Sequence, residues 1–482
     1  MPKRISRREL LRIAGLASAA AVVAACKPKV VEVEKEVTKV IEKTVVVEKQ
    51  VTRPPAPADM PAEITWWGYA IGIRYVPGKP WGSAAPEDWD NWQKESFQKL
   101  HPNVKVNIEL LKHDETYFTK LDAALMAGNP PDIVMGPVSE ASKYILKGVC
   151  SSLDDYIALT DVQDLHPKVI EEISFSGKKY LWPWRLSFGG GIPVNGVILE
   201  KRGVKNLLPQ DEARKEWTYD QFLEICKACT YDENGDGKID VYGMGLVGDW
   251  TFQDLQFQYG YGAEFWNKDE SAVIINSEAG VAGMQWMYDL EWKHKAAIPG
   301  SASNIAGEMD KLWLQGKLAM YAAQGAGGSS AAIDEATKKG EMEFIWCMPP
   351  SLPDKEPGVM TNIHGHYVFQ QKNPNQTWWA HKYCEHLIRP EAIALSLQSG
   401  RPPARVSFWP QVANDKNLSV GIRMVDIMKS WGRRAAAYNI TFVLMAKYYS
   451  SIFSGQMGVK EGLDKYAEES TKLLQDEIAG KT

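Results

Sequence analysis

Cysteine is scarce in this chain: six in 482 residues, one at position 26 and the others at 150, 226, 229, 347 and 384. Small exported domains held by disulfides are dense in cysteine and pair it evenly, so a disulfide framework is excluded as the source of stability. Long apolar runs are missing after residue 25, and a bilayer-spanning helix needs about 20 such residues. A strong charge of one sign is missing as well. The 55 Lys and Arg against 60 Asp and Glu leave a formal net charge of −5, which gives no general attraction to nucleic acid. Phenylalanine is low beside tryptophan, 13 against 18. A buried indole N–H needs a partner, so the tryptophans pose a question: do they line a core or a ligand surface? What is present is ordinary globular material, 45% hydrophobic and 24% charged, enough for about two to four domains with substantial cores.

The N-terminus sets a compartment. Lys3, Arg4, Arg7, Arg8 and Arg12 precede an alanine-rich apolar run over 13–25 that ends at Cys26. Basic leader, short apolar run and small-residue end describe an export signal rather than a membrane span. Arg7-Arg8 with Leu10-Leu11 and Arg12 resembles a twin-arginine signal; a general secretory signal with a chance arginine pair is the alternative. Val23-Ala24-Ala25-Cys26 resembles a lipobox, which makes Cys26 the lipidated first residue of the mature chain. Acyl chains contribute about 0.8 kcal/mol per buried CH₂, so such an anchor holds a protein on the outer face of the cytoplasmic membrane without a transmembrane helix. Removal of the basic leader also makes the mature body more acidic than −5.

Residues 26–59 then read as a low-complexity linker of Val, Glu, Lys and Thr ending at Pro54-Pro55-Ala56-Pro57. Positions 30, 33, 37, 40, 44, 47 and 51 follow a coiled-coil spacing, all Val but Thr44, while the β-branched composition equally suits an extended, solvated spacer. From residue 64 strand and helix patterns alternate. An apolar strand at Ile64-Thr65-Trp66-Trp67, a helix over 88–100, an alternating strand over 104–110, a helix over 116–126 stopped by Gly128, and a strand at Asp132-Ile133-Val134-Met135 predict a parallel α/β sheet. Enzymes and binding proteins share that architecture. Cys226 and Cys229 fall in a helical pattern and read as a buried helix face.

Several segments resemble the family 1 extracellular solute-binding proteins of ABC importers. They are His101-Pro102-Asn103-Val104-Lys105-Val106, Ala127-Gly128-Asn129-Pro130-Pro131-Asp132-Ile133-Val134, Gly177-Lys178-Lys179-Tyr180-Leu181-Trp182-Pro183, Glu216-Trp217-Thr218-Tyr219-Asp220, Gly316-Lys317-Leu318-Ala319-Met320 and Ser399-Gly400-Arg401-Pro402-Pro403-Ala404-Arg405. The chain departs from the family's pattern at Val194 before Asn195, where an aromatic is common, and has no Trp in Gln324-Gly325-Ala326-Gly327. The resemblance implies a periplasmic-binding-protein-like α/β fold of two lobes joined by hinge crossovers. Lobe 1 is expected over 60–181 with 370–404, and lobe 2 over 192–361 with 405–482. It further implies capture of a carbohydrate in the cleft and delivery to the membrane subunits of an ABC permease, with no cofactor required. Matching cleft positions are Trp67, Tyr69, Ser139, Glu140, Trp184, Arg185, Trp250, Gln324 and His364. Trp217, Trp286, Trp313 and Trp346 fall in helix or strand patterns and are expected in the core. A glycerol-phosphate, polyamine or metal solute is the rival within the family.

One loop has its own chemistry. Asp232, Asn234, Asp236, Lys238 (through its carbonyl) and Asp240 take EF-hand-like spacing with Gly237 at the turn, although position 12 is Gly243 instead of a bidentate Glu. Structural calcium and a solvated Asn/Gly turn are the two readings. His364-Gly365-His366 lacks a third metal ligand nearby, and Tyr448-Tyr449 sits on an apolar helix pattern. A secreted polysaccharide-active enzyme is the alternative of a different class. It needs two carboxylates about 5 to 9.5 Å apart, and the adjacent pairs Asp154-Asp155 and Glu171-Glu172 diverge on any regular backbone.

Overall fold

The computed structural model describes residues 60–481 except 72, 74, 81–82, 113–114, 323–329 and 398–400. The export signal, Cys26, the 26–59 linker and Gln324 lie outside the described residues. The expected strand–helix alternation is present: β1 (Ala62–Gly68), α1 (Asp88–Leu100), β2 (Val104–Leu110), α2 (Glu115–Met126), β3 (Ile133–Pro137) and α3 (Val138–Leu146). Helix α2 stops where Gly128 takes φ +69°, a conformation that costs a residue with a Cβ. Strands β2 and β3 both pair in parallel with β1, with Ile64 opposite Val106 and Trp67 opposite Val134.

The first sheet is completed by three strands, β4 (Cys150–Ser151), β5 (Leu181–Arg185) and β6 (His364–Phe369). Strand β6 runs antiparallel to β3, β4 and β5, placing His366 opposite both Met135 and Trp182. A second sheet orders the strands Tyr242–Gly245, Leu318–Tyr321, Ile192–Asn195 and Phe344–Cys347. A third, small sheet joins Met428–Lys429, Val359–Thr361 and Phe188–Gly189.

Two chain segments thread all three sheets. The first runs through β5, Phe188–Gly189 and Ile192–Asn195; the second runs through Phe344–Cys347, Val359–Thr361 and β6. They pair with each other in the small sheet, Met360 against Gly189 and Thr361 against Phe188. The first bends at Gly191, φ +86°, where a Cβ would meet Trp346 Nε1 at 2.4 Å.

Apolar side chains gather into two principal cores that follow this division. One holds Trp66, Tyr117, Tyr144, Trp182, Tyr367 and Tyr383; the other holds Trp217, Phe222, Phe257, Met287, Tyr449 and Tyr466. Trp217 and Trp346 are buried as expected, Trp313 sits in a smaller cluster beside the second core, and Trp286 is half-buried among Tyr219, Phe222 and Phe257. The five cysteines of the body are buried and free. Cys226 and Cys229 lie on and just past the helix Tyr219–Ala228, and burial pushes both thiols up.

The stretch 405–428, grouped with the second lobe by motif order, packs differently. Phe408, Val420, Met424 and Val425 join the first core. Arg405 explains it: its Nε donates to Asp164 at 2.7 Å and its Nη2 to Asp161 at 2.6 Å, which ties the start of the stretch to the first core's short helix Leu159–Gln163. No helix among the described residues is long and apolar enough to cross a membrane.

Candidate ligand-binding site

Loops at the ends of β1 and β3 and the crossover segments bring six of the nine expected contact residues into one neighbourhood. Tyr69 follows β1 and its hydroxyl lies 3.0 Å from His364 Nδ1, at the start of β6. Arg185 is directly opposite His364 in the β5–β6 pairing. Trp184 stacks between Arg185, whose guanidinium carbon is 4.6 Å from its ring centroid, and His366 at 6.4 Å. Ser139, in the first turn of α3, donates from Oγ to Asn362 Oδ1 at 2.9 Å. Glu140, the next residue, sits close to Gly136 and Tyr367, where a Cβ on Gly136 would meet its Oε2 at 3.2 Å. All six are less than a tenth exposed.

The electrostatics are those of a buried, polar cluster. Burial, then the charge of Glu140, pushes the Tyr69 phenol well above its ordinary range, while Arg185 and Arg401 pull the other way. Burial drives His366 down to about 3, so it is a neutral acceptor for Trp66 Nε1, 3.3 Å away. Trp184 Nε1 and Arg185 Nε are buried with no hydrogen-bond partner among the described residues. Such orphaned donors are rare in folded proteins and cost about 1–3 kcal/mol each.

Trp67 and Trp250 stand apart from this cluster. On β1, Trp67 carries the Lys120 ammonium 4.7 Å from its ring centroid, so a cation covers one of its faces. Half-buried Trp250 belongs to an aromatic wall of the second core, 5.7 Å from Phe252 and 5.8 Å from Phe442. Trp431 continues that wall, and Tyr438 extends it to Phe118 on α2, 6.2 Å away. Among the described residues, Thr251 Oγ1, Gln253 Oε1 and Trp431 Nε1 along this wall are buried without partners.

The sequence reading missed Arg401, Ser187, Asn362 and Trp431. Arg401 donates to Ser187 Oγ at 3.1 Å, and burial with the nearby Arg185 charge pushes it down to about 9. A usable signal existed for Ser187 and Asn362, which each lie two residues from a chosen position on the crossover segments.

The remaining candidates make local contacts of their own. In the 232–240 loop, Asp232 accepts from the backbone N–H groups of Asn234, Gly235 and Gly237, Asn234 from Asp236, Asp236 from Lys238, and Asp240 from Glu233. Among the described residues no three His, Cys, Asp or Glu side chains are grouped to hold a metal ion. Tyr449 donates to Asp254 at 2.6 Å and Tyr448 to Glu469 at 2.5 Å. Two surface grooves, about 300 and 880 Å³, are lined by Lys168, Lys215 and Arg423 and by Glu200, Asp211 and Lys416, away from all these contacts.

The model of the family described as bacterial extracellular solute-binding protein matches residues 78–395. No curated protein sequence matches the chain. Similar solved structures include the GacH receptor of Streptomyces glaucescens, crystallised unliganded and with acarbose. It is 20% identical, with 86% of this chain and 99% of that chain covered and a TM-score of 0.68. An ABC transporter solute-binding protein of Thermotoga lettingae bound to α-D-tagatose is 17% identical over 86% of this chain and 100% of its own, with a TM-score of 0.70. The maltotriose-binding protein of Thermus thermophilus, bound to maltotriose, is 18% identical over 85% and 100%, at 0.66. These likenesses establish the periplasmic-binding-protein-like fold.

Proposed function

Because the chain belongs to the bacterial extracellular solute-binding protein family, we propose that it captures a carbohydrate between its two cores and delivers it to an ABC permease. In this reading Cys26 carries the lipid, the 26–59 linker spaces the body from the outer face of the cytoplasmic membrane, and the chain carries out no covalent chemistry. The two crossover segments act as hinges, so that solute selects a closed arrangement of the lobes.

One observation carries the carbohydrate reading. A buried polar cluster with unpartnered donors, Trp184 Nε1 and Arg185 Nε, belongs to the same body as an aromatic wall with its own unpartnered groups at Thr251, Gln253 and Trp431. Sugars present both complements: hydroxyls for the orphaned polar atoms and C–H faces for the rings. The sugars named for the similar structures agree in chemistry.

The test is a thermal-shift screen of the mature chain against maltose, maltotriose, tagatose, other oligosaccharides, glycerol 3-phosphate and spermidine. A ligand at 100 times its Kd adds about 2.7 kcal/mol of stability. A rise in Tm with at least one sugar is expected; a rise with a non-sugar solute alone overturns the carbohydrate reading. Turnover of a glycan that one carboxylate substitution abolishes overturns the binding-protein reading.

A further inference from the structure

Arg185 and Arg401 are neighbours in the candidate site, and among the described residues neither is ion-paired with a carboxylate. Arg185 is 8% exposed, forms no ion pair among the described residues, and its Nε has no hydrogen-bond partner. Its guanidinium lies over the Trp184 ring, and Tyr69 is near enough to bear on its charge. Arg401 reaches the same place from the other strand of an antiparallel bridge: Arg185 pairs with Pro403, Leu186 N–H donates to the Pro402 carbonyl at 2.8 Å, and Arg401 Nη1 donates to Ser187 Oγ. Ser187 is two residues from Arg185 on the same crossover segment. A buried cation is ordinarily paired, and two together repel. Two other arginines are so paired, Arg405 with Asp161 and Asp164, and Arg433 with Glu171, Glu172 and Glu270.

We propose that Arg185 and Arg401 form an oxyanion subsite, and that the solute is a sugar bearing a carboxylate, sulfate or phosphate group that enters between the two guanidiniums. The planar forks match such groups through paired N–H donors, Ser187 positions the Arg401 fork, and the anion removes the repulsion that the unliganded pair holds. Burial and the Arg185 charge that lower Arg401 are in keeping with this arrangement. The inference deepens the carbohydrate reading and rests on it.

The experiment compares neutral oligosaccharides with uronate, sulfated and phosphorylated counterparts by calorimetry on the mature chain. Glycerol 3-phosphate and inorganic sulfate are included, with wild type and Arg401→Gln side by side. Acidic sugars are expected to bind the wild type and to lose about 30-fold or more in Arg401→Gln. Sulfate is expected to raise the Tm of the wild type alone. Unliganded Arg401→Gln is expected to melt no lower than wild type, because it sheds one of two like charges; Arg185→Gln repeats the test if that variant does not fold. Binding of neutral sugars only, unaffected by either substitution, overturns the oxyanion subsite and leaves the carbohydrate reading standing. Binding of glycerol 3-phosphate alone does the reverse, and no binding by any probe overturns both.

Discussion

The polar cluster of the first sheet and the aromatic wall of the second core are built from different materials. The first-sheet side is polar and charged: Tyr69 on His364, Ser139 on Asn362, Arg401 on Ser187, with Arg185 across Trp184. The second-core side is a sheet of rings, Trp250, Phe252, Trp431 and Phe442, with centroids 5.0 to 5.8 Å apart. Hydrogen-bonding groups discriminate among solutes because a mismatch leaves buried polar atoms unpaired, whereas rings supply area and tolerate variation. Selectivity should therefore reside on the first side, and stability together with general affinity on the second.

Four substitutions or conditions break or sharpen that contrast. The largest effect is expected from Phe252→Ala, since this fully buried ring touches Trp431, Phe442 and the Gly189 backbone. A loss of about 3–5 kcal/mol in denaturant unfolding follows, and a loss under 1 kcal/mol would show that the wall is not structural. Next, Tyr69→Phe removes the hydroxyl from His364 Nδ1 and should cost about 1–3 kcal/mol, read as weakened binding of the preferred solute in calorimetry. Equal weakening for every sugar tested would remove the first side's role in discrimination.

The third concerns pH. Burial raises the Asp254 carboxyl to about 8, although the Tyr449 hydrogen bond lowers it. The folded chain then keeps a proton that the unfolded chain releases near pH 4, so stability from this group is present in acid and lost as pH rises from about 4 toward 8. Asp254→Asn is expected to match the wild-type Tm near pH 4 and exceed it near pH 8; parallel curves would refute the shift. The smallest effect belongs to the 232–240 loop, outside both sides. Its carboxylates are already engaged by its own N–H groups, so Tm in calcium and in EDTA should agree, and a rise in calcium would make it an ion site.

Much of the first sheet was legible in sequence because its signals are local. The alternation over 104–110 and the helix over 88–100 match the observed bounds, since period-two and helical patterns are written within one element. The site was legible only in part. Tyr69 and His364 were chosen separately, but the bond joining them spans 295 residues, and no window of sequence contains both. Arg401 escaped because its setting is made by strand pairing with 185–187. The placement of 405–428 on the first core depends on one guanidinium finding Asp161 and Asp164. Trp250 and Trp67 show the opposite failing: composition marks them, yet packing against Phe442 and under Lys120 decides what each ring does.

Strand β6 also governs the order in which the molecule can assemble. It lies between β3 on one side and β4 and β5 on the other, but it is the last of the six strands to be synthesised. Until residue 364 has been made, β1–β3 and β5 have no bridge, and Trp182 lacks the strand that closes over it. Pairings this distant in sequence pay a large loop-closure cost and form late. The first sheet thus stays in separate pieces for most of the chain's synthesis, and one six-residue strand joins them.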